Sequence, residues 1–364
     1  MKTVKRLLSI ALAAGCLSTY ASEPPVVNSY GTDPTSDMAL IYAGGDTRPR
    51  WTTDDWMPYV AHTYADGHKD WFFDAFLVLE FHSASRGASF ETSERGGSAT
   101  KEDWEWLIDN HMSVISSLDS TIAIARAELG EPRMRHKVII GVPSAIKQQT
   151  TPFGIIEGRE MDFSKDADRL AADKWGIDLI VEKFNSAKFE NVDLGGLYWV
   201  EEALYTNGSI MPEINEWIHS RHNLRTYWIP YYPSNQQFSC NWKFYGFDMA
   251  YHQPNYFFRR DVPEDRLEVT CRDSKKYGLG LELEFETQGL SRAQYDDPDS
   301  YYDRLVAYLD VFDKEGVFEN SAVAWYSGSK GFIDMSRSNH PKDREICDRM
   351  AAIIAERQKA HVRQ

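Results

Sequence analysis

Eight short apolar runs, separated mostly by amphipathic stretches, recur along this chain, and that alternation restricts the fold more than any other feature. The runs are Ala39–Ala43, Phe73–Phe81, Lys137–Val142, Leu194–Val200, Leu224–Tyr232, Phe247–His252, Gly278–Phe285 and Ser321–Tyr326. Helices are expected over Glu102–Leu129, from Ser164 onward, and over Pro212–His222, Ser300–Lys314 and Arg344–Ala360. Strands that alternate with helices build parallel sheets. Eight of them predict an α/β fold, a (β/α)8 barrel in one domain over residues 38–364. The rival, an open doubly wound sheet, commonly carries a GxGxxG turn after its first strand, and Gly44-Gly45-Asp46 is not that turn. The weakest link is Pro233–Tyr245, where no clear full-length helix is visible.

The N-terminus carries a second strong pattern. Lys2, Lys5 and Arg6 precede an apolar run from Leu7 to Leu17, and small residues follow. That order predicts a secretory signal peptide over residues 1–21, with a flexible lead-in over 22–37. The run is too short for a permanent membrane span. Two processing routes are open. Thr19-Tyr20-Ala21 before Ser22 suits ordinary cleavage, whereas Ala13-Ala14-Gly15-Cys16 resembles a lipobox that would attach the protein to an envelope membrane through Cys16. The expected location is the periplasm or the cell envelope.

Charge and cysteines exclude several classes. The chain has a formal charge of −15, and losing the three cations of the signal segment takes it to −18. Such a chain repels nucleic acid and anionic membrane surfaces. Cys240, Cys271 and Cys347 remain after processing, an odd number that makes no disulfide framework. No CxxC pair or HExxH run suggests zinc, and no cofactor is expected.

In a parallel barrel the chemistry sits at the C-terminal strand ends. There the chain offers Asp46, Glu80 and His82, the pair Glu201-Glu202, Tyr231, the segment from Tyr251 through His252, Gln253 and Asn255 to Tyr256, then Glu282, Glu284 and Glu286, and finally Trp325 and Tyr326. Leu281 to Glu286 alternates strictly, so one face of a strand carries three glutamates. The outer face of a barrel strand meets helices, so the leucines point out and the glutamates in. Gly278 and Gly280 then leave room below them. Glycoside hydrolysis needs two carboxyl groups across the scissile bond. The fourth and seventh strands lie on different sides of the axis, which points to Glu202 as general acid and Glu284 as nucleophile or base. Glu201 is the alternative acid, and Glu282 lies one layer deeper. Aromatic faces stack on sugar rings. Trp228, Tyr231, Tyr251, Tyr256, Trp325 and Tyr326 are the candidates for a platform that binds a neutral or amino sugar, with Asp46, His82, His252, Gln253 and Asn255 as polar contacts. His82, His252 and Asp248 match no metal-ligand spacing, and no metal is expected.

Two segments, Tyr231-Tyr232-Pro233-Ser234-Asn235-Gln236-Gln237 and Tyr251 to Phe258, carry a family resemblance, with Gly196-Leu197-Tyr198-Trp199 before Glu201-Glu202 and the run Glu282 to Glu284. Together they resemble a family of exported bacterial proteins labelled as a domain of unknown function, found in gut Bacteroidetes and other bacteria, often near polysaccharide-degrading genes. The arrangement is also similar to the clan of retaining barrel glycosidases with the acid/base on strand four and the nucleophile on strand seven. That clan carries Asn before its acid, where this chain has Glu201. The resemblance implies a retaining glycosidase. A non-catalytic glycan-binding barrel and a metal-dependent hydrolase are the competing classes. Protein recovered from the envelope should lack its N-terminal segment by intact-mass measurement. Retention of Met1 would refute export, and a lipid tracer on Cys16 would select the lipobox route.

Overall fold

The eight apolar runs all become strands, each trimmed or shifted by a few residues. They are β1 (Asp37–Tyr42), β2 (Ala75–Leu79), β3 (His136–Val142), β4 (Val192–Trp199), β5 (Arg225–Trp228), β6 (Met249–His252), β7 (Gly280–Glu284) and β8 (Val323–Tyr326). This computed structural model describes residues 24–362 apart from 47, 49, 92–96, 150, 232–238, 291–300 and 329. The export segment, Cys16 and the stretch from Tyr232 to Gln237 lie outside the described residues.

The strands close in chain order into one barrel, β1 pairing with both β2 and β8. Every barrel pairing is parallel. The helices that cover it include α1 (Thr53–Val60), α2 (Lys101–Leu129), α3 (Asp166–Ala187), α4 (Met211–Trp217), α5 (Asp265–Tyr277), α6 (Tyr302–Lys314), α7 (Val317–Asn320), α8 (Gly331–Ser336) and α9 (Pro341–Val362). Among the described residues no helix is long and apolar enough to cross a membrane.

Local chemistry fixes where the helices begin and end. Thr100 caps α2 through a reciprocal pair of bonds with Asp103, and Gly130 ends the helix at φ 80°. Pro212 occupies the first turn of α4, where its missing N–H costs nothing. Two apolar layers result. Side chains such as Met38, Leu40, Leu77, Ile139, Tyr198 and Met249 fill the lumen, and a larger shell joins the outer strand faces to the helices.

The lead-in is not loose. Residues 24–36 run across the barrel floor: Val27 N–H donates to Lys276 O (2.8 Å), Gly31 N–H to Leu279 O (2.8 Å) and Ala322 N–H to Gly31 O (2.8 Å). Gly31 has no substitute there, because a Cβ would lie 2.6 Å from Gly278 O. The room expected below the glutamates is also absent. Gly278 ends α5 at φ 71° instead of joining β7, and the space beside Gly280 is filled by Met249 and Tyr251, 2.4 and 2.8 Å from where a Cβ would sit.

One buried ion pair secures the closure. Arg357 on α9 donates through Nε to Asp37 Oδ2 (2.9 Å), and its other nitrogens reach the carbonyls of Ser36, Ser321 and Phe318. Trp325 Nε1 donates to the same Asp37 carboxylate at 2.9 Å. The first and last strands are thus tied to the C-terminal helix. Arg357→Ala should cost about 3–5 kcal/mol of unfolding free energy, because it strands a buried carboxylate and several carbonyls. Urea denaturation measures it, and a loss below about 1 kcal/mol, the scale of a surface ion pair, would contradict the clamp.

Candidate active site

Alternation along β7 sends Leu281 and Leu283 into the outer shell and turns Glu282 and Glu284 inward, both buried. The pairing with β8 sets Glu282 opposite Ala324 and Glu284 opposite Tyr326. Across the mouth, Val200 is the last lumen-facing residue after β4. Glu202, two residues on, follows its parity and is half-buried. Its carbonyl accepts the Tyr231 N–H at 3.2 Å.

These carboxyls act on one another. Burial pushes Glu202 up to about 7, reinforced by the nearby Glu91 and opposed by hydrogen bonding from Gln253. Burial also pushes Glu284 up to about 7, opposed by bonds from Tyr308 and from the backbone N–H groups of Asn255 and Tyr256, with the Glu202 charge adding to the rise. Glu282 is driven well above the usual carboxylate range by burial, then by Glu284 and Glu202. Like charges in low dielectric cannot all ionise, so protons are shared among them.

Glu284 is held firmly. Its Oε2 accepts the Asn255 N–H at 2.7 Å and the Tyr308 O–H. Asn255 adopts φ 50°, which aims that N–H, and its side chain donates to Tyr231 Oη at 2.8 Å. Gln253 lies between Glu202 and Glu282 and bonds to both. Tyr326 sits at the mouth, donating to Glu286 Oε1 at 2.9 Å and meeting Tyr42 edge-on. The sequence candidates Glu202, Glu282, Glu284, Gln253, Asn255, Tyr231 and Tyr326 are therefore brought together.

Other candidates are not. Glu201 is fully buried on the opposite parity, its Oε1 accepting Ser144 Oγ–H (2.6 Å) and Asn207 Nδ2–H (2.9 Å), so its carboxyl belongs to the shell behind β4. Trp228 and Trp325 face the helices, Trp228 stacking on Phe247 and Trp325 on Phe318, because each is one residue out of step with the lumen. Neither can stack on a sugar in the mouth. His252 also points outward, to Ser274 on α5, and burial lowers it to about 4. Tyr251 has lumen parity but pairs with Gly280 at the foot of β7, deep in the barrel. Tyr256 is buried under Arg304, whose guanidinium lies 3.5 Å from the ring centroid. Asp46 accepts the N–H groups of Ala84 (3.1 Å) and Ser85 (2.6 Å), pinning the loop after β2. His82 lies in a small hairpin there, opposite Ser89.

Asp248 pairs with His219 at 2.7 Å, while His252 reaches Ser274. Among the described residues no group of three His, Cys, Asp or Glu side chains is arranged to hold a metal ion.

The sequence reading missed Glu91, Tyr308, Tyr42 and Tyr198. Tyr42 and Tyr198 share lumen parity with Leu40 and Val200, so the period-two pattern could have found them. Glu91 comes from an irregular segment, seated by Ser144 N–H donating to Phe90 O at 2.8 Å, and no periodic signal marks it. Tyr308 reads as an ordinary apolar position of α6.

A cavity of about 930 Å3 opens at the floor, lined by Asp33, Arg225, Glu319 and Arg357 among others. There Asp33 is paired with Arg225 at 2.8 Å and Arg357 with Asp37. Its Asp33 and Arg357 are thereby paired with opposite charges.

Residues 37–352 match the family described as Domain of unknown function (DUF4855). The chain belongs to this family. No curated protein matches it in sequence. Solved structures similar to this DUF4855 chain include trehalose-6-phosphate hydrolase of Bacillus licheniformis, at 9% identity over 89% of this chain and 72% of that one, TM-score 0.43. An α-amylase from Malbranchea cinnamomea matches at 12% identity over 90% and 77%, TM-score 0.43. A chain of the tryptophan synthase complex from Pyrococcus furiosus matches at 9% identity over 88% and 98%, TM-score 0.40. At these scores the likenesses carry no argument about activity.

Tyr308 offers a test of the Glu284 environment. Its O–H bond holds the Glu284 carboxyl down, so Tyr308→Phe should raise that group's titration. If Glu284 must be ionised to work, the acid limb of kcat/KM against pH moves to higher pH in the variant. An unmoved limb would mean that Glu284 does not control it.

Proposed function

We propose that this DUF4855 protein is a glycoside hydrolase that cleaves a poly- or oligosaccharide, with Glu202 as general acid/base and Glu284 as nucleophile. One observation carries the reading: the ends of β4 and β7 each supply a glutamate to one mouth, and the Glu202 charge bears on the Glu284 carboxyl. Such pairs, with environments that keep one protonated while the other is ionised, are what acid-assisted glycoside cleavage requires.

The roles follow from the surroundings. Glu284, fixed by Asn255 and Tyr308, suits attack on the anomeric carbon, since its lone pairs are held in place. Glu202 is half-buried, and burial with the nearby Glu91 pushes it up to about 7, so it suits the protonated partner. In the first step Glu284 forms a bond to the anomeric carbon as the C–O bond to the leaving sugar breaks, and Glu202 gives its proton to the leaving oxygen. In the second step Glu202 takes a proton from water, the water oxygen bonds to the anomeric carbon, and Glu284 is released. Tyr42, Tyr231 and Tyr326 supply the stacking faces that Trp228 and Trp325 do not. We further propose that the protein works outside the cytoplasm on carbohydrate, supported by the Lys2 to Leu17 pattern and the acidic charge.

Glu202→Gln and Glu284→Gln should each lower kcat by about 100-fold or more, with unchanged circular dichroism, on a glycan found by screening. Near-normal turnover in both would refute the assignment. The first product seen by NMR should keep the anomeric configuration of the substrate; inversion would reassign Glu284 as the base that activates water.

A further inference from the structure

The floor of the barrel carries a surface that the chemistry of the mouth does not explain. Among the described residues, three of the eight exposed large apolar side chains gather beside it: Val26, Val27 and Phe244, the last the most exposed of all at 76%. The turn before β6 is built to display Phe244. Trp242 is buried and donates its indole N–H to Tyr277 O, at the end of α5, at 3.1 Å. The Phe244 N–H closes on Asn241 O at 2.8 Å and the Gly246 N–H on Lys243 O at 3.1 Å, with Gly246 at φ 88°. Anchored by Trp242, the turn sends Lys243 and Phe244 outward. Val27 and the Lys243 ammonium group flank one spot beside Gly278, 3.5 and 3.6 Å from where a Cβ would sit, so the strap and the turn form one surface.

Cations stand among these apolar tips. Lys243 rests over the Trp242 ring at 5.0 Å, Lys276 over Tyr277 at 4.8 Å and Lys275 over Tyr30 at 5.9 Å, and all three lysines are exposed. Arg272 lies on the same helix, 3.9 Å from Asp273, the acid that bears on Lys276. Glu315 is a second acid at the edge, its carbonyl accepting the Tyr30 O–H at 3.1 Å. The local balance is positive, in a chain of formal charge −15. Protein–protein interfaces are depleted in lysine and gather their apolar groups in a core. Here the lysines are interleaved with the apolar groups. Their stems can lie along hydrocarbon while the ammonium groups reach phosphate, which suits a lipid surface. Repulsion from the rest of the acidic chain is screened beyond about 10 Å, so the local patch decides contact.

We propose that this floor is a membrane-contact surface: Val26, Val27 and Phe244 enter the interfacial layer of a bilayer, and Lys243, Lys275 and Lys276 bind anionic lipid headgroups. The described chain begins at Pro24, three residues before Val27. The segment that holds the Leu7 to Leu17 run and Cys16 therefore joins the barrel beside the same surface. A bilayer that receives that segment is brought to the patch. The contact stands apart from the glycosidase reading, since no residue of the mouth takes part in it.

The experiment uses the protein as recovered from cells. It is sedimented with vesicles of phosphatidylcholine alone and with phosphatidylglycerol added, and its lysines are labelled with an amine reagent in the presence and absence of each. The wild type should favour the anionic vesicles about tenfold or more. Lys243→Glu, Lys275→Glu and Lys276→Glu together should remove that preference, and Phe244→Ser should weaken binding to the anionic vesicles about tenfold. Anionic vesicles should shield Lys243, Lys275 and Lys276 from the reagent, while Lys165, exposed just before α3 at the other end of the barrel, stays reactive. Equal binding to both kinds of vesicle, an unchanged preference in the charge-reversed chain, or floor lysines labelled as fast with vesicles as without overturns the proposal. Shielding that grows with protein concentration in the absence of lipid marks the floor as a contact between copies of this chain and overturns it too. If a variant loses its fold by circular dichroism, the labelling of the wild type decides.

Discussion

The pairing register of β7 with β8 is the constraint on which the mouth depends. Because Glu282 faces Ala324 and Glu284 faces Tyr326, the inward set of β7 is Gly280, Glu282 and Glu284. A slip of one residue would send the leucines inward and press two carboxylates against the helices. The floor helps to forbid that slip. Gly280 is clamped among Met249, Tyr251 and the Ala322 carbonyl, where only a glycine fits. Closure by Arg357 and Asp37 then holds β1 against β8 at the same level. Three carboxyls come to share one low-dielectric space because the backbone leaves them no other face.

Such a space is unfavourable in isolation. Burial raises all three carboxyls, and neighbouring acids raise them further: Glu91 acts on Glu202, Glu202 on Glu284, and both Glu284 and Glu202 on Glu282. Several structural carboxylates elsewhere in the molecule are paired with arginines, although buried Asp74, Asp173 and Glu201 are raised by burial as well. Asp33 meets Arg225, Asp37 meets Arg357, and Asp103 is bound by Arg86 and by its own helix cap. Three carboxyls with raised titration at C-terminal strand ends, where barrels keep their chemistry, make this mouth the candidate site.

The fold was legible because eight apolar runs with helical spacers admit few architectures. The inward face of β7 was legible too, since only there does a charged residue alternate with leucine. The other strands are apolar on both faces, as in most parallel sheets, so their parity is silent in the sequence. That silence explains Trp325 and Trp228, each beside a tyrosine of the opposite face, and it explains His252. Tyr251 had the right parity and the wrong height, because strand stagger is set by pairing and not by composition. Glu91 reaches the site from an irregular connection, where neither period applies, and Tyr308 from a buried position of α6 that its helical period cannot tell from core.

The strap of residues 24–36 crosses the floor, the face opposite the mouth. Val27 is bonded beside the end of α5, and Gly31 is wedged between β7 and β8. The polypeptide therefore enters the barrel from its blind end. A molecule held by that end presents its open end outward, with the full depth of the barrel as a spacer. The direction in which the chain is threaded thus sets which end of the barrel faces away from whatever holds the N-terminal side.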